Sequence, residues 1–219
     1  MSKRQRADRL LVERGLFASR AKAQAAIAAG LVTANEATVR KASAELPLDA
    51  SLRAAPAHPY VSRGGVKLAA ALDYFGFNPQ GRICLDVGRS QLDASLRARP
   101  EVTVLEQTDI RALVPARLAE PPDFVSIDVS FISLKLALPA ALALTKRPAQ
   151  LVALIKPQFE AGRAHLKKGI VRDAAVRARV CDDIAALVAS LGWRVLGVIP
   201  SPIDGGEGNR EFLLAAVHD

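Results

Sequence analysis

Four ionisable residues stand in short segments that are typical of a catalytic site, although they lie far apart in the chain. Asp128 ends the strand-like run Phe124-Val-Ser-Ile-Asp128, and Lys156 ends the run Leu151-Val-Ala-Leu-Ile-Lys156. Lys67 lies in a segment with two glycines, and Glu211 comes just before a final apolar run. Open α/β sheets carry their chemistry at the carboxyl ends of buried strands. Two lysines and two carboxylates that converge there could take a proton from a hydroxyl group and hold the resulting charge.

Each of these residues also has an ordinary structural explanation when it is taken alone. Lys67 could be a solvated helix lysine, and Asp128 could cap the turn after its strand. Lys156 could extend from the end of its strand to solvent, and Glu211 could form a surface ion pair with a neighbouring arginine. The residues alone leave these alternatives open, and only the four segments together favour an active site.

The overall composition suggests an anionic partner. The chain has 219 residues, a net charge of +8 and an isoelectric point near 9.9. A basic balance of this kind favours nucleic acid first and an anionic membrane surface second, and a solvated basic face is the ordinary alternative. The length allows one large domain, or a small domain followed by a medium one.

The cysteine and histidine patterns predict neither a disulfide framework nor a metal site. Cys84 and Cys181 have no near neighbour of their own kind, and the three histidines are dispersed. We therefore expect two buried thiols, no bound metal and a reduced, cytoplasmic setting. The most apolar long stretch, residues 134–155, is interrupted by prolines and basic residues, which argues against a transmembrane helix.

Residues 5–58 form a compositional unit of their own. Helical spacing covers Ala7 to Arg14 and Arg20 to Ala29, with Ser19 as an N-cap for the second helix. Short strand-like segments follow, and the proline-containing residues 56–59 read as a linker. The sequence therefore predicts a small α+β module over residues 1–58 and a second domain over residues 59–219.

The second part alternates strand-like and helical runs. Helices are predicted over Gly65–Phe75, Leu136–Leu144 and Ala174–Leu191, and strands over Ile83–Val87, Val102–Gln107, Phe124–Ile127, Val152–Ile155, Arg194–Pro200 and Phe212–Val217. Such alternation is typical of an α/β fold with a mostly parallel, doubly wound sheet. A glycine-rich loop joins the last two strands, so an antiparallel hairpin is expected at one edge.

The ordered motifs resemble a known family. The first unit resembles an S4 RNA-binding domain in Arg6-Ala-Asp8, Leu10-Leu-Val12, Ser19-Arg20 and Gly30-Leu-Val32, and the second resembles methyltransferases of the FtsJ type. Joined in this order, the whole chain resembles the TlyA family, also called the haemolysin A family. The segments that carry this resemblance are Val61–Leu68, Ile127–Leu134, Ile155–Glu160, Lys168–Arg172 and Asn209–Phe212.

The resemblance implies a Rossmann-like methyltransferase that uses S-adenosylmethionine to methylate ribose 2′-hydroxyls of ribosomal RNA. The family's catalytic tetrad corresponds here to Lys67, Asp128, Lys156 and Glu211. Lys156 is the expected base, since a desolvated lysine can take a hydroxyl proton, and Asp128 is expected to orient it. Glu211 and Lys67 are expected to position the ribose.

The resemblance also implies residues for the cofactor and for the RNA. Asp86, Gly88, Asp109 and Asp128 are the expected contacts to S-adenosylmethionine. Ribosomal RNA or a ribosomal subunit is the expected partner, and no membrane partner is expected. The expected RNA-binding residues are Arg4, Arg6, Arg9, Arg14, Arg20, Lys22 and Arg63.

The segment after Gly88 departs from the family pattern. Methyltransferases of this class place a glycine-rich turn, a helix and a second strand after the first strand, whereas here Ile83–Gly88 leads directly into residues 89–93. Asp86 to Gly88 could therefore correspond to either of two similar Asp-Val-Gly copies. Either the natural protein carries residues that this sequence lacks, or the segment has been lost. A true loss would be expected to leave neighbouring strands unpaired and to weaken cofactor binding severely.

Two other functions remain open from the sequence. One is an inactive RNA-binding relic, which the missing segment favours. The other is a membrane-lytic protein, which the haemolysin name would imply. Neither an export signal nor a long basic amphipathic helix supports the lytic alternative.

Overall fold

The computed structural model describes residues 3–60, 62–86, 97–100, 102–105, 108–205 and 208–219. The chain divides into two compact units, Met1–Ser62 and Arg63–Asp219. The division falls four residues after the end of the unit that composition predicts.

The first unit combines two helices with short strands. Its elements are β1 (Arg4–Arg6), α1 (Ala7–Glu13), α2 (Arg20–Ala28), β2 (Val32–Ala34), β3 (Ala37–Thr38), β4 (Glu45–Pro47) and β5 (Leu52–Ala54). Strand β1 pairs with β4, and β2 lies between β3 and β5, all antiparallel. The predicted N-cap is present, since the Ser19 hydroxyl accepts a hydrogen bond from the Lys22 backbone amide. A small core of alanines with Leu11, Phe17, Ile27 and Val32 closes the unit.

The second unit alternates helices and strands. Its elements are α3 (Arg63–Phe75), β6 (Cys84–Asp86), β7 (Val102–Val104), β8 (Phe124–Ile127), α4 (Leu134–Leu142), β9 (Ala149–Ile155), α5 (Pro157–Glu160), α6 (Ala174–Ser190), β10 (Arg194–Pro200) and β11 (Phe212–His218). The short helix α5 was not predicted from the sequence pattern. It begins at Pro157, which suits the first position of a helix because that position needs no amide donor.

The main sheet is mixed rather than mostly parallel. Its strand order is β10-β11-β9-β8. Strands β8 and β9 run parallel, whereas β11 is antiparallel to both β9 and β10. The predicted antiparallel hairpin is thus present, and β11 inserts between β10 and β9, which reduces the parallel part of this sheet to one pair.

Strand β9 lies at the centre of the core because both of its faces are covered. Leu151, Ala153 and Ile155 pack into a cluster with α4 and α6, and Val152 and Leu154 pack on the opposite face against residues of α3. This alternation follows the two-residue period of a strand. A near-continuous apolar strand buried on both faces is what a central strand of a layered α/β domain requires.

Strands β6 and β7 form a separate parallel pair in which Cys84 lies opposite Val102 and Asp86 lies opposite Val104. The expectation that a lost segment would leave these neighbouring strands unpaired is therefore wrong for this pair. The Ile83 amide donates to the Asp123 carboxylate at 3.0 Å, which ties the start of β6 to the residue before β8.

Candidate active site

Two strand ends bring the predicted catalytic residues to one edge of the main sheet. In the antiparallel ladder of β9 and β11, Phe212 lies opposite Ile155. Lys156 and Glu211 are the next residues outward on these two strands. Asp128 follows β8, which runs parallel to β9, so its carboxylate emerges at the same edge. The register of three strands therefore positions three of the four residues.

Lys156 and Asp128 form one ion pair at this edge. The Lys156 ammonium lies 2.6 Å from Asp128 Oδ1 and donates to the Ser130 hydroxyl at 2.9 Å. The Lys156 side chain is 11% exposed and the Asp128 side chain is 47% exposed. The amine is thus held by two oxygens in a nearly buried position, while half of the carboxylate surface stays open for a ligand.

Lys67 and Glu211 form a second, more deeply buried pair. Lys67 lies in α3, and its ammonium donates to Glu211 Oε2, with side-chain exposures of 10% and 3%. The backbone of Gly205 packs against this carboxylate, since a Cβ atom at that position would lie 2.6 Å from Glu211 Oε1. A larger residue at Gly205 would therefore displace Glu211.

A further carboxylate near the site, that of Glu160, accepts hydrogen bonds from the start of α4. Glu160 accepts hydrogen bonds from the Leu134 amide at 2.7 Å and from the Ser133 hydroxyl at 2.5 Å. These contacts fix the start of α4, which follows the segment that carries Asp128 and Ser130. Glu160 thus stabilises the start of α4 and the loop that precedes it.

Phe131, three residues after Asp128, was not predicted from the sequence as a site residue. Its side chain is 92% exposed, and its φ of 64° lies in the left-handed region that a bulky residue rarely adopts. Its ring centroid lies 5.3 Å from that of Phe159. An aromatic side chain held open to solvent three residues after Asp128 can stack on a flat ligand.

The expected cofactor residues are described only in part. Gly88 and the Asp86 side chain lie outside the described residues. The Asp109 carboxylate is held by the Arg111 guanidinium at 2.6 Å, and these hydrogen bonds lower its pKa to about 2. Asp109 and Asp128 are each about half exposed, at 48% and 47%, so both keep oxygen lone pairs for a hydroxyl or amino group. These two residues therefore fit a polar ligand such as S-adenosylmethionine.

Several of the expected RNA-binding residues have intramolecular partners. Arg6 and Arg20 bind Asp8, whose side chain is fully buried, at 3.1 and 2.7 Å, and Gln24 adds a hydrogen bond at 2.8 Å. The hydrogen bond from Arg6, followed by those from Arg20 and Gln24, holds the pKa of Asp8 well below its ordinary range. The side chains of Arg6 and Arg20 nonetheless stay 38% and 49% exposed. Both arginines are therefore partly open to solvent while they hold Asp8.

The remaining basic residues of that set differ in their surroundings. Arg4, Arg14 and Arg63 donate to the backbone carbonyls of Glu45, Leu48 and Asp204 respectively. Arg9 and Lys22 have no side-chain partner within residues 3–60. The structure thus gathers six of these seven residues in the first unit, and Arg63 begins the second.

Comparison with known proteins relates most of the second unit to methyltransferases. The family model for FtsJ-like methyltransferases matches residues 83–218. The 16S/23S rRNA (cytidine-2′-O)-methyltransferase TlyA of Mycobacterium tuberculosis is 36% identical over 241 residues, which cover 98% of this chain and 90% of that protein. YqxC of Bacillus subtilis, which is named as an inferred rRNA methyltransferase, is 41% identical and covers 97% of this chain and 85% of its own.

The length of these alignments shows that the relatives have additional internal residues. Each spans 241 positions, whereas this chain has 219 residues, so at least 22 residues of each relative have no counterpart here. A helix, a strand and their loops have about this length. The difference is therefore of the size expected for the segment that the sequence pattern places after Gly88.

A solved structure shows a similar whole-chain fold. A hemolysin-like chain from Streptococcus thermophilus has a TM-score of 0.74 and 34% identity, and the match covers 100% of this chain and 90% of that one. Among the described helices of the present chain, none combines the length and the apolar content needed to cross a bilayer. Within the described residues, no cluster of histidine, cysteine or acidic side chains could hold a metal ion.

Proposed function

Because this chain belongs to the TlyA family of FtsJ-like methyltransferases, we propose that it transfers a methyl group to a ribose 2′-hydroxyl of ribosomal RNA. The observation that carries the proposal is the convergence of Lys156–Asp128 and Lys67–Glu211 at one sheet edge. Two adjacent lysine–carboxylate contacts suit proton removal from a hydroxyl group.

Lys156 is the proposed base. Its Nζ atom, once neutral, accepts the 2′-hydroxyl proton and becomes an ammonium, while the ribose oxygen becomes the nucleophile. Asp128 and Ser130 orient this nitrogen, at 2.6 and 2.9 Å, and the Asp128 carboxylate stabilises the ammonium that forms. Lys67 holds Glu211 in place, and Glu211 accepts hydrogen bonds from the substrate nucleotide and so sets the position of the ribose.

S-Adenosylmethionine is the proposed methyl donor, and when bound it supplies an electrophilic sulfonium methyl group. Asp128 and Asp109 would hold its polar groups, and Asp86 and Gly88 are proposed contacts from the end of β6. The described carboxylates are open to a ligand on about half of their surface. Asp128 contacts Lys156 at 2.6 Å, so the same carboxylate would serve both the base and the methyl donor.

The first unit is the proposed RNA-docking module, as an S4-like domain. The partly exposed side chains of Arg6 and Arg20 supply positive charge that attracts structured RNA. The other basic residues proposed to contact RNA in this unit are Arg4, Arg9, Arg14 and Lys22. Ribosomal RNA, free or within a subunit, is the proposed partner, and such a substrate locates the activity in the cytoplasm.

An inactive RNA-binding protein is the second candidate, favoured by the relatives' additional residues. The test is transfer of labelled methyl groups from S-adenosylmethionine to ribosomal subunits, with nucleoside analysis of the product. We expect 2′-O-methylated nucleosides from the intact chain and none from Lys156→Ala. Transfer to RNA at no detectable rate, combined with tight RNA binding, would favour the inactive alternative, and leakage from vesicles without RNA would favour the lytic one.

A further inference from the structure

The segment Lys168-Gly-Ile-Val-Arg172 has no role in the proposed reaction, yet it has an unusual conformation. Lys167 and Ile170 exchange backbone hydrogen bonds of 3.0 and 3.2 Å, so the chain reverses at Lys168 and Gly169. Both residues have positive φ angles, 52° and 77°. Asparagine and glycine are the usual residues of such a turn, and a lysine there is held by its surroundings. We call residues 167–172 the basic hairpin.

The backbone of the basic hairpin is fastened at several points. The Asn209 side chain, whose residue is 2% exposed, donates to the Gly169 carbonyl at 3.0 Å and accepts from the Val171 amide at 3.2 Å. Arg177 donates to the carbonyls of Val171 and Arg172 at 3.0 and 2.8 Å. The hairpin is thus fixed to the loop before β11 and to α6. Its backbone would therefore lose little conformational entropy when a ligand binds.

The side chains of the hairpin, in contrast, are open. Lys167, Lys168 and Arg172 are exposed, and none of them has an ion-pair partner in the described part of the chain. The neighbouring Asp173 carboxylate caps α6 by accepting from the Ala175 amide at 2.8 Å. Three exposed cations beside this one carboxylate leave the fixed hairpin with a net positive charge, which favours an anionic ligand.

This surface lies close to the proposed reaction centre. Asn209 stands two residues before Glu211, a backbone distance of at most about 7 Å. A cavity of about 440 Å³ opens beside Glu211, and its lining includes Arg177, Ser201 and Arg210. A chain of phosphates that passes the hairpin can therefore continue into the cavity within one or two nucleotides of the ribose at Glu211.

We propose that the basic hairpin binds the sugar–phosphate backbone of the RNA strand that carries the target ribose. Lys167 and Lys168 contact phosphate oxygens, and Asn209 is a positioning residue that fixes the hairpin relative to Glu211. The inference rests on the proposed function for the identity of the strand. Contacts between lysine ammonium groups and phosphate oxygens contribute to affinity but do not distinguish one base from another.

The test compares Lys167→Ala/Lys168→Ala in the full chain with the control Lys146→Ala/Arg194→Ala. The control removes the same charge from the opposite end of the sheet, where Arg194 faces Val217 and Lys146 precedes β9. The dissociation constant for a ribosomal RNA fragment is measured over a salt series, and methyl transfer is measured in parallel. We expect the hairpin variant to raise the dissociation constant about tenfold and to reduce the salt slope by about 1.4 for single-stranded contacts.

The two readouts separate this inference from the proposed function. Methyl transfer by the intact chain with unchanged RNA affinity in the hairpin variant would overturn the inference and leave the function standing. Hairpin-dependent RNA binding without methyl transfer would support the inference and reject the function. An equal loss of affinity in the hairpin and control variants would also overturn the inference, because the effect would then follow net charge alone.

The positioning role of Asn209 is tested without removing charge from the hairpin. Asn209→Ala removes both tethers, and Gly169→Ala places a side chain at the left-handed position of the turn. Both variants should raise the KM for RNA several-fold while kcat at saturating RNA stays within about twofold. An unchanged KM in both variants, with a folded second unit by Trp193 fluorescence, would reject the positioning role.

Discussion

Phe212 lies opposite Ile155 across the antiparallel ladder of β11 and β9, and this pairing places Glu211 next to Lys156. The two residues belong to different ion pairs, Lys67–Glu211 and Asp128–Lys156. A shift of one residue in this register would turn Glu211 to the other face of the sheet. The site therefore depends on a strand pairing between segments more than fifty residues apart.

Lys156→Ala should slow methyl transfer severely because it removes the proposed proton acceptor. Loss of a general base typically costs about 10²–10⁴-fold in rate. Single-turnover transfer to ribosomal subunits measures the effect, and RNA affinity should be unchanged. Lys146→Ala is the matched control, since that lysine pairs with Glu120 at the other end of β9 and should keep full activity. Comparable rates for the two variants would exclude Lys156 as the base.

Lys67→Met should destabilise the second unit because it leaves the Glu211 carboxylate buried and unpaired. Removal of one partner of a buried ion pair typically costs about 3–5 kcal/mol. Urea unfolding followed by Trp193 fluorescence reports this unit, since Trp193 is the single tryptophan of the chain. The urea concentration at the midpoint of unfolding should therefore be clearly lower for Lys67→Met than for the intact chain.

The double variant Lys67→Met/Glu211→Leu separates stability from function. Both charges are then gone, so stability should recover relative to Lys67→Met, whereas methyl transfer should remain lost. Recovery of activity together with stability would show that the pair has only a structural role.

Phe131→Ala should lower kcat/KM for RNA about tenfold without affecting stability. The ring is 92% exposed, so its removal costs little core packing, whereas stacking on a base contributes about 1–3 kcal/mol. Tyr74→Ala is a suitable control because Tyr74 is also exposed, at 68%, and lies in α3. An equal effect of both variants, or none from Phe131→Ala, would reject a stacking role.

Strand periodicity and charge at strand ends were sufficient to predict much of the second unit. The strands Phe124–Ile127 and Arg194–Pro200 have the predicted bounds, and the final hairpin is antiparallel as expected. The insertion of β11 beside β9 was not predictable in this way, because strand order depends on long-range packing rather than on local pattern. The parallel pairing of β6 with β7 was missed for the same reason.

The candidate site shows a similar limit. The identities of Lys67, Asp128, Lys156 and Glu211 came from the ordered motifs, and the resemblance also implied the contact of Asp128 with Lys156. The pairing of Lys67 with Glu211 was not predicted. Ser130 was also missed as a partner of Lys156, since a serine in a loop carries no spacing signal. Phe131 was missed because only the three-dimensional structure reveals its exposure.

Asp8 provides a prediction for the first unit that depends on pH. Its buried carboxylate is held by Arg6, Arg20 and Gln24, so its pKa in the folded chain lies well below the ordinary value near 3.8. Because the pKa of Asp8 is lower in the folded chain than in the unfolded chain, its ionised carboxylate stabilises the fold at pH values above the unfolded-state pKa. This stability is lost as the pH falls from the unfolded-state pKa towards the folded-state pKa. The intact chain should therefore be more stable than Asp8→Asn at pH 7, and this difference should shrink below about pH 4.

Hydrogen exchange of peptides from residues 7–28 measures this effect, since those residues contain α1 and α2. Removal of the buried carboxylate leaves two guanidiniums without their partner, so protection at pH 7 should fall in this region and stay unchanged in peptides from β9. The second unit thus serves as an internal control. If the difference in exchange protection between the intact chain and Asp8→Asn stays constant from pH 7 to pH 3, Asp8 stabilises the unit through its shape and not its charge. In that case Arg6 and Arg20 would not need the charge of Asp8 to hold their orientation in the proposed RNA-docking unit.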